Sequence, residues 1–395
     1  MAGARPLEGI RVVDFSAIMA GPYCTRLLGD LGADVIKIEP PDGEYMRARS
    51  PMRNGCSRYF GQLNCGKRSL AVDIKTADGV AIVKELAAAS DVVVENFRPG
   101  VMERLGLGFD TLRALNPRLV CCSISGFGQA GPDADKPAYA PIVHATSGYD
   151  LAQLGFDGAS RPAKTGIFTA DVLAGLNAFG AIVTALFARE RTGGGQSIDV
   201  TLIESMLNLL VFEVQAAQCD DEQRRPLYAP LPASDGFIVI AAITSANFAN
   251  LADAVGHPEW KTDERFATPR AREQHWDAAL DMLEAWTSRR TAQECEDELS
   301  RARVPMSRYR SMREVLRDPG LAYRGSFVPV EDGGGPFLVP HAPFRFSDAS
   351  VGPWPFVPGI GEHAREILSD VLGYEPARID GLMRAGTVAA PAARG

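Results

Sequence analysis

The sequence predicts an α/β protein, a doubly wound domain built on a parallel sheet and joined to a smaller α+β domain. Three observations carry this reading. Short runs rich in β-branched residues alternate with amphipathic helical stretches through the first 125 positions. Two of those runs, DVVVENF at 91–97 and LVCCSIS at 119–125, are nearly unbroken in apolarity, as strands covered by helices on both faces must be. The chain has 395 residues, enough for more than one domain at about 150 residues each.

The elements follow in order. IRVVDF (10–15) reads as the first strand, and GPYCTRLLGDLGA (21–33) as a helix closed by glycine. DVIKIE (34–39) and SLAVDI (69–74) are the next strands. In DGVAIVKELAAAS (78–90), Val80, Val83, Leu86 and Ala87 share one helical face. The strands at 91–97 and 119–125 come next. DVLAGLNAFGAIVTALFARE (171–190) predicts a long helix whose Val172, Leu176, Phe179, Val183 and Leu186 form one apolar stripe toward the core. A turn at TGGGQ (192–196) leads into SIDVTLIES. The charged, proline-rich stretch at 220–236 marks a domain boundary. FIVIAAI (237–243) opens the second region, and a final helix is expected near 362–373.

Composition excludes several function classes. With 41 basic and 49 acidic residues the net charge is −8, against a nucleic-acid binder. The seven cysteines are odd in number and form no CxxC, so reduced thiols are expected rather than disulfides or zinc. The five histidines show no HExxH, so no metal site is expected. No signal peptide is visible, and polar residues interrupt the apolar stretches short of the ~18 positions a membrane span needs. A cytoplasmic enzyme is expected.

The motifs narrow the chemistry. Gly126, Gly128 and Gly131 match GxGxxG after a strand, but a dinucleotide site needs a helix opening there. Pro132, Asp133, Asp135 and Pro137 cannot start a long one, so this reads as a glycine loop at a strand end. Neither a GxSxG elbow nor a GxxxxGK[ST] loop occurs. His144, set among apolar residues, reads as structural, with a general base as the alternative. Asp171 stands just ahead of the long stripe and reads as a helix N-cap, ionised by the positive helix end. The same setting suits a carboxylate nucleophile. Lys67, Arg68, Lys75, Arg98 and Arg104 follow three strand ends. They form either a phosphate-binding stripe or ordinary solvated surface.

Together, VVDFSAIMAGPYCTRLLGDLGADVIKIE, NCGKRSLAVDIKT, DVVVENFRPGVMERLGLG, RERTGGGQSIDV after the Asp171 helix, and GHPEW with a following RF resemble the family III CoA-transferases. That group includes formyl-CoA and carnitine CoA-transferases and α-methylacyl-CoA racemase. The resemblance implies a Rossmann-like large domain from both chain ends (1–220 and 331–395), a small domain at 221–330, and a homodimer of interlocked, ring-like chains. It implies coenzyme A, carried as acyl-CoA, as substrate, with a small carboxylic acid as acceptor and no metal, nucleic acid or membrane. Asp171 matches the family's catalytic aspartate, which forms an aspartyl-CoA thioester. Lys75, Asn96, Phe97 and Arg104 match positions that contact CoA, and Arg98 beside them is a further candidate. Met19 and Tyr139 fall in the substrate pocket.

Some positions depart from the pattern. Pro40 stands where formyl-CoA transferase has an arginine, and Lys136 is one residue away from that enzyme's lysine. Met19 replaces its glutamine, and its GGGGQ loop is missing, the glycines at 333–335 lying elsewhere. Formate and oxalate are therefore not expected, and Met19 suggests a less polar acyl pocket. The racemase has a histidine and an aspartate where this chain has Tyr139 and Ala140, and a glutamate at Thr244. Proton exchange at the α-carbon needs an acid and a base, so the transferase reading is preferred over a racemase. A CoA-binding protein without turnover, or a dinucleotide enzyme using the glycine loop, is the alternative of a different class.

Overall fold

The computed structural model describes residues 3–220 and 228–389. It divides into two compact units, Met1–Val211 with Gly320–Gly395, and Phe212–Pro319. Residues 221–227 of the expected boundary stretch lie outside the described residues.

The larger unit is built on six strands: β1 (Arg11–Asp14), β2 (Asp34–Glu39), β3 (Arg68–Ala71), β4 (Val92–Glu95), β5 (Val120–Ser125) and β6 (Ser197–Thr201). They are all parallel, in the order β3-β2-β1-β4-β5-β6. Every residue of β4 and β5 is buried, which is why their sequences show no alternation. Chain order reverses between β1 and β4, and open α/β sheets take ligands at the carboxyl ends of strands beside such a reversal.

Helices cover both faces. They include α1 (Ala20–Asp30), α2 (Arg58–Asn64), α3 (Ala77–Ala88), α4 (Ala140–Thr146), α5 (Tyr149–Asp157), α6 (Thr169–Thr192) and α7 (Leu202–Leu209). On one face Val12, Val94, Cys122 and Val200 pack with residues of α1 and α6. On the other, Val13, Val93 and Cys121 pack with α3 and with Ile367, Leu368, Ile379 and Val388 from the C-terminal stretch. That stretch is sealed by backbone bonds from Asp73 N to Thr387 O (2.8 Å) and from Ala389 N to Ala71 O (2.9 Å). The smaller unit holds an antiparallel sheet of Leu231–Ala233, Gly236–Ile240 and Met306–Arg308 over a core containing Phe248, Trp260 and Trp286.

Four expectations need correction. The buried face of α6 is not the stripe of large residues. It is mostly Ala170, Ala174, Gly175, Ala178, Ile182 and Ala185; of the expected stripe only Leu186 is buried, Phe179 and Val183 are partly buried, and Leu176 is exposed. The cause is a close crossing with α1, where a Cβ on Gly175 would stand 2.6 Å from Ala20 O; only small residues permit it. The same helix is, by length and composition, apolar enough to cross a membrane, contrary to the reading of interrupted apolar stretches. It packs against α1, β5 and β6 instead. Lys67 and Arg68 are not available to phosphates: Lys67 is buried against Asp14, and Arg68 pairs with Asp34 and Glu366. The helix expected near 362–373 is present as Ala364–Glu366 running into a wider turn at Ile367–Val371, but it is not the final one: Gly373, at φ 67°, follows it, and a further helix forms at Pro376–Arg384. The glycines at 333–335 close a hairpin of Phe327–Asp332 and Gly335–Pro340 that the sequence reading did not foresee.

Candidate active site at Asp171

The segment after β1 is held from below by buried charge. Asp14 accepts from Lys67 Nζ (2.9 Å), Thr25 Oγ1 (2.7 Å) and the Ser16 backbone N–H (2.9 Å). Burial alone would raise its carboxyl, but the Lys67 and Lys37 cations outweigh this and bring it down to about 2. Lys37, also buried, donates to Ser16 O at 2.9 Å and pairs with Glu44 at 2.8 Å. From β4, Asn96 clamps the same segment: its Oδ1 accepts from Ala17 N (2.9 Å) and its Nδ2 donates to Ala17 O (2.8 Å). Ile18 follows at φ 68°, a left-handed conformation that a β-branched residue adopts only when its surroundings impose it. This fixed segment delivers Met19 to the start of α1.

Asp171 reaches the same place from α6. Tyr59, at the start of α2, donates from its hydroxyl to Met19 Sδ at 3.2 Å. Burial raises the Tyr59 pKa, and the Asp171 charge adds to the effect. Tyr59 thus bonds to Met19 and lies within electrostatic reach of Asp171. The sequence did not point to Tyr59, because nothing local distinguishes an aromatic brought in from a distant helix.

Asp171 is the third residue of α6, not its N-cap; Phe168 occupies that position and makes no side-chain cap. The helix starts earlier because the Ala170 N–H donates to His144 Nε2 at 3.1 Å. Asp171 is also not held strongly ionised, as an N-cap would be. Burial raises its carboxyl from 3.8 to about 6. It is ionised at neutral pH yet poorly solvated, the condition of a reactive carboxylate.

The other expected residues are placed unevenly. Lys75, Arg98 and Arg104 are exposed on segments following β3 and β4, and Tyr139 is exposed at the N-terminal edge of α4. Asn96 spends both polar groups of its side chain on Ala17. Phe97 is half-buried, and its N–H donates to Glu95 Oε2 at 2.7 Å. Arg98 lines a cavity of about 260 Å³ together with Glu95, Glu103, Ser123 and Asp199. Its acidic lining does not suit the phosphates of CoA. Among the described residues, no group of three or more His, Cys, Asp or Glu is placed to hold a metal ion.

The CoA-transferase family III model matches residues 7–364. The chain belongs to CoA-transferase family III. Among its relatives is the succinyl-CoA–D-citramalate CoA-transferase of Chloroflexus aurantiacus, 38% identical over 93% of this chain and 94% of that protein. The succinate–glutarate CoA-transferase of Agrobacterium fabrum is 33% identical over 93% of this chain and 96% of that one. A solved CAIB/BAIF family protein from Brucella suis is 33% identical, with a TM-score of 0.81 over 93% of this chain and 100% of its own. Like its relatives, this family III CoA-transferase is an enzyme acting between an acyl-CoA and a carboxylate.

Proposed function

We propose that the enzyme passes CoA from an acyl-CoA donor to a carboxylic acid through an aspartyl-CoA thioester on Asp171. The Asp171 carboxylate attacks the donor's thioester carbonyl, the C–S bond breaks, and CoA leaves as its thiolate, giving a mixed anhydride. The thiolate then attacks the Asp171 carbonyl carbon and releases the donor acid as its carboxylate, leaving Asp171 as the CoA thioester. The acceptor carboxylate attacks that thioester, and the thiolate returns to the resulting anhydride to give the new acyl-CoA and free Asp171. Each step exchanges one activated acyl bond for another.

The observation that carries this reading is Asp171 itself, desolvated to about 6 at the start of a core helix with Met19 and Tyr59 beside it. Lys75, Asn96, Phe97 and Arg104 are proposed for CoA, Arg98 being set aside because the cavity it lines is acidic, and Met19 and Tyr139 for the acyl group. Relatives acting on succinyl-CoA make it the first donor to test. The racemase alternative is not favoured: Tyr139 is exposed, and Thr244 serves as a helix cap, accepting from Asn247 N at 3.1 Å. The parallel sheet order 3-2-1-4-5-6 supports the Rossmann-like assignment. A cytoplasmic homodimer completes the proposal.

Intact-protein mass spectrometry after incubation with succinyl-CoA and other acyl-CoAs tests it. Wild type is expected to gain the mass of CoA less water, and Asp171→Ala to gain nothing and to transfer nothing. Transfer by Asp171→Ala would sink the mechanism.

A further inference from the structure

Helix α6 begins without help from its own N-cap, since Phe168 has no side-chain acceptor. The free N–H groups of a first turn must find partners elsewhere. The Thr169 N–H turns back to Ile167 O at 3.1 Å, and the Ala170 N–H finds His144 Nε2 at 3.1 Å. His144 belongs to α4, 26 positions earlier. Its ring is fully buried and packed at 5.4 Å against that of Tyr149.

We infer that His144 is a positioning residue for Asp171, its neutral imidazole capping the Ala170 N–H and so fixing the turn that carries the carboxylate. The inference rests on Asp171 being the catalytic carboxylate. The capping bond dictates the tautomer. A lone pair at Nε2 places the proton on Nδ1, which lies 3.5 Å from Thr165 Oγ1. Protonating Nε2 would oppose two N–H groups and set a cation at the positive end of the helix dipole. Burial favours the neutral ring, lowering its pKa from 6.5. Titratable and charged groups on the elements packed around the ring are Tyr149, Asp150 and Asp157 on α5, Asp171, Arg189, Glu190 and Arg191 on α6, Glu204 on α7 and Lys164 just before Thr165. Asp150 alone opposes the burial effect appreciably; Glu204 is engaged by Thr201 Oγ1 at 2.8 Å.

Two His144 variants, Asp171→Ala and one spectrum decide it. His144→Gln keeps a neutral acceptor and is expected to retain kcat within about threefold, whereas His144→Leu should lose about 10–100-fold in kcat with little change in the donor KM. The acid limb of wild-type kcat should approach a second-order dependence on protons, from Asp171 and His144 together, and fall to first order in His144→Gln. Long-range 15N spectra of the wild type should show one histidine locked as Nδ1–H, missing in His144→Gln. This readout needs no catalysis, so it remains decisive if His144→Leu folds poorly. An Nε2–H tautomer, or full activity in His144→Leu, overturns the inference. Activity surviving in Asp171→Ala instead overturns the catalytic reading and leaves the cap to the spectrum.

Discussion

At the scale of single residues, the burial that raises the Asp171 carboxyl also works against folding once that carboxyl is ionised. Its folded pKa of about 6 lies above the unfolded 3.8. Its contribution to stability is therefore complete below pH 3.8 and lost as pH rises through about 6. A tenfold change in an ionisation equilibrium is worth about 1.4 kcal/mol, so the ionised carboxylate costs on the order of 1–3 kcal/mol at neutral pH. Asp171→Asn is expected to be inactive but more stable than wild type above pH 6, the advantage vanishing near pH 4. Thermal melts across that range check this, and a melting point lowered at pH 8 would contradict it. The family resemblance singled out Asp171, whereas its local sequence, a carboxylate ahead of an apolar helix, suggested only an N-cap. The ionisation was misjudged, because burial, which raises the Asp171 carboxyl, comes from packing that local sequence does not show.

At the scale of elements, the strands were legible and the helix faces less so. Runs such as DVVVENF contain their own explanation, since burial on both faces demands continuous apolarity. The stripe on α6 misled because packing there is decided by closeness rather than hydrophobicity. Gly175 lies against Ala20 O and the Tyr23 side chain, so its lack of a Cβ sets the distance between the two helices that bring Met19 and Asp171 together. Two substitutions in the same helix should therefore have opposite signs. Gly180→Ala meets nothing within 4 Å and should stabilise by about 0.5–1 kcal/mol through helix propensity alone. Gly175→Ala gains the same propensity, yet it places a carbon 2.6 Å from a backbone oxygen. A net loss of about 1–3 kcal/mol is expected, together with slower adduct formation. Denaturant unfolding of the pair measures both signs, and equal effects would show that the crossing is not tight.

At the scale of the whole molecule, the proposed homodimer asks which surface would meet a second copy. Large apolar side chains of the larger unit are exposed around α5, α6 and α7: Leu151 on α5, Ile167 before α6, Phe187 on α6 and Val211 after α7 are 65–81% exposed. Large side chains left outside a core, on a helix whose small side chains are inside it, mark surface that monomers rarely leave in water. Neither these exposed faces nor the joining of Val388 to the core of the larger unit was legible from spacing, because both depend on contacts far apart in sequence. The dimer entered the sequence reading through the family resemblance alone. Sedimentation equilibrium is expected to give about twice the chain mass at nanomolar concentration, with a melting temperature that rises with protein concentration, as for subunits with no stable folded monomer. A 42.4 kDa species that melts cooperatively and independently of concentration would refute this, and would require the exposed faces of α6 and α7 to be stable in water as they stand.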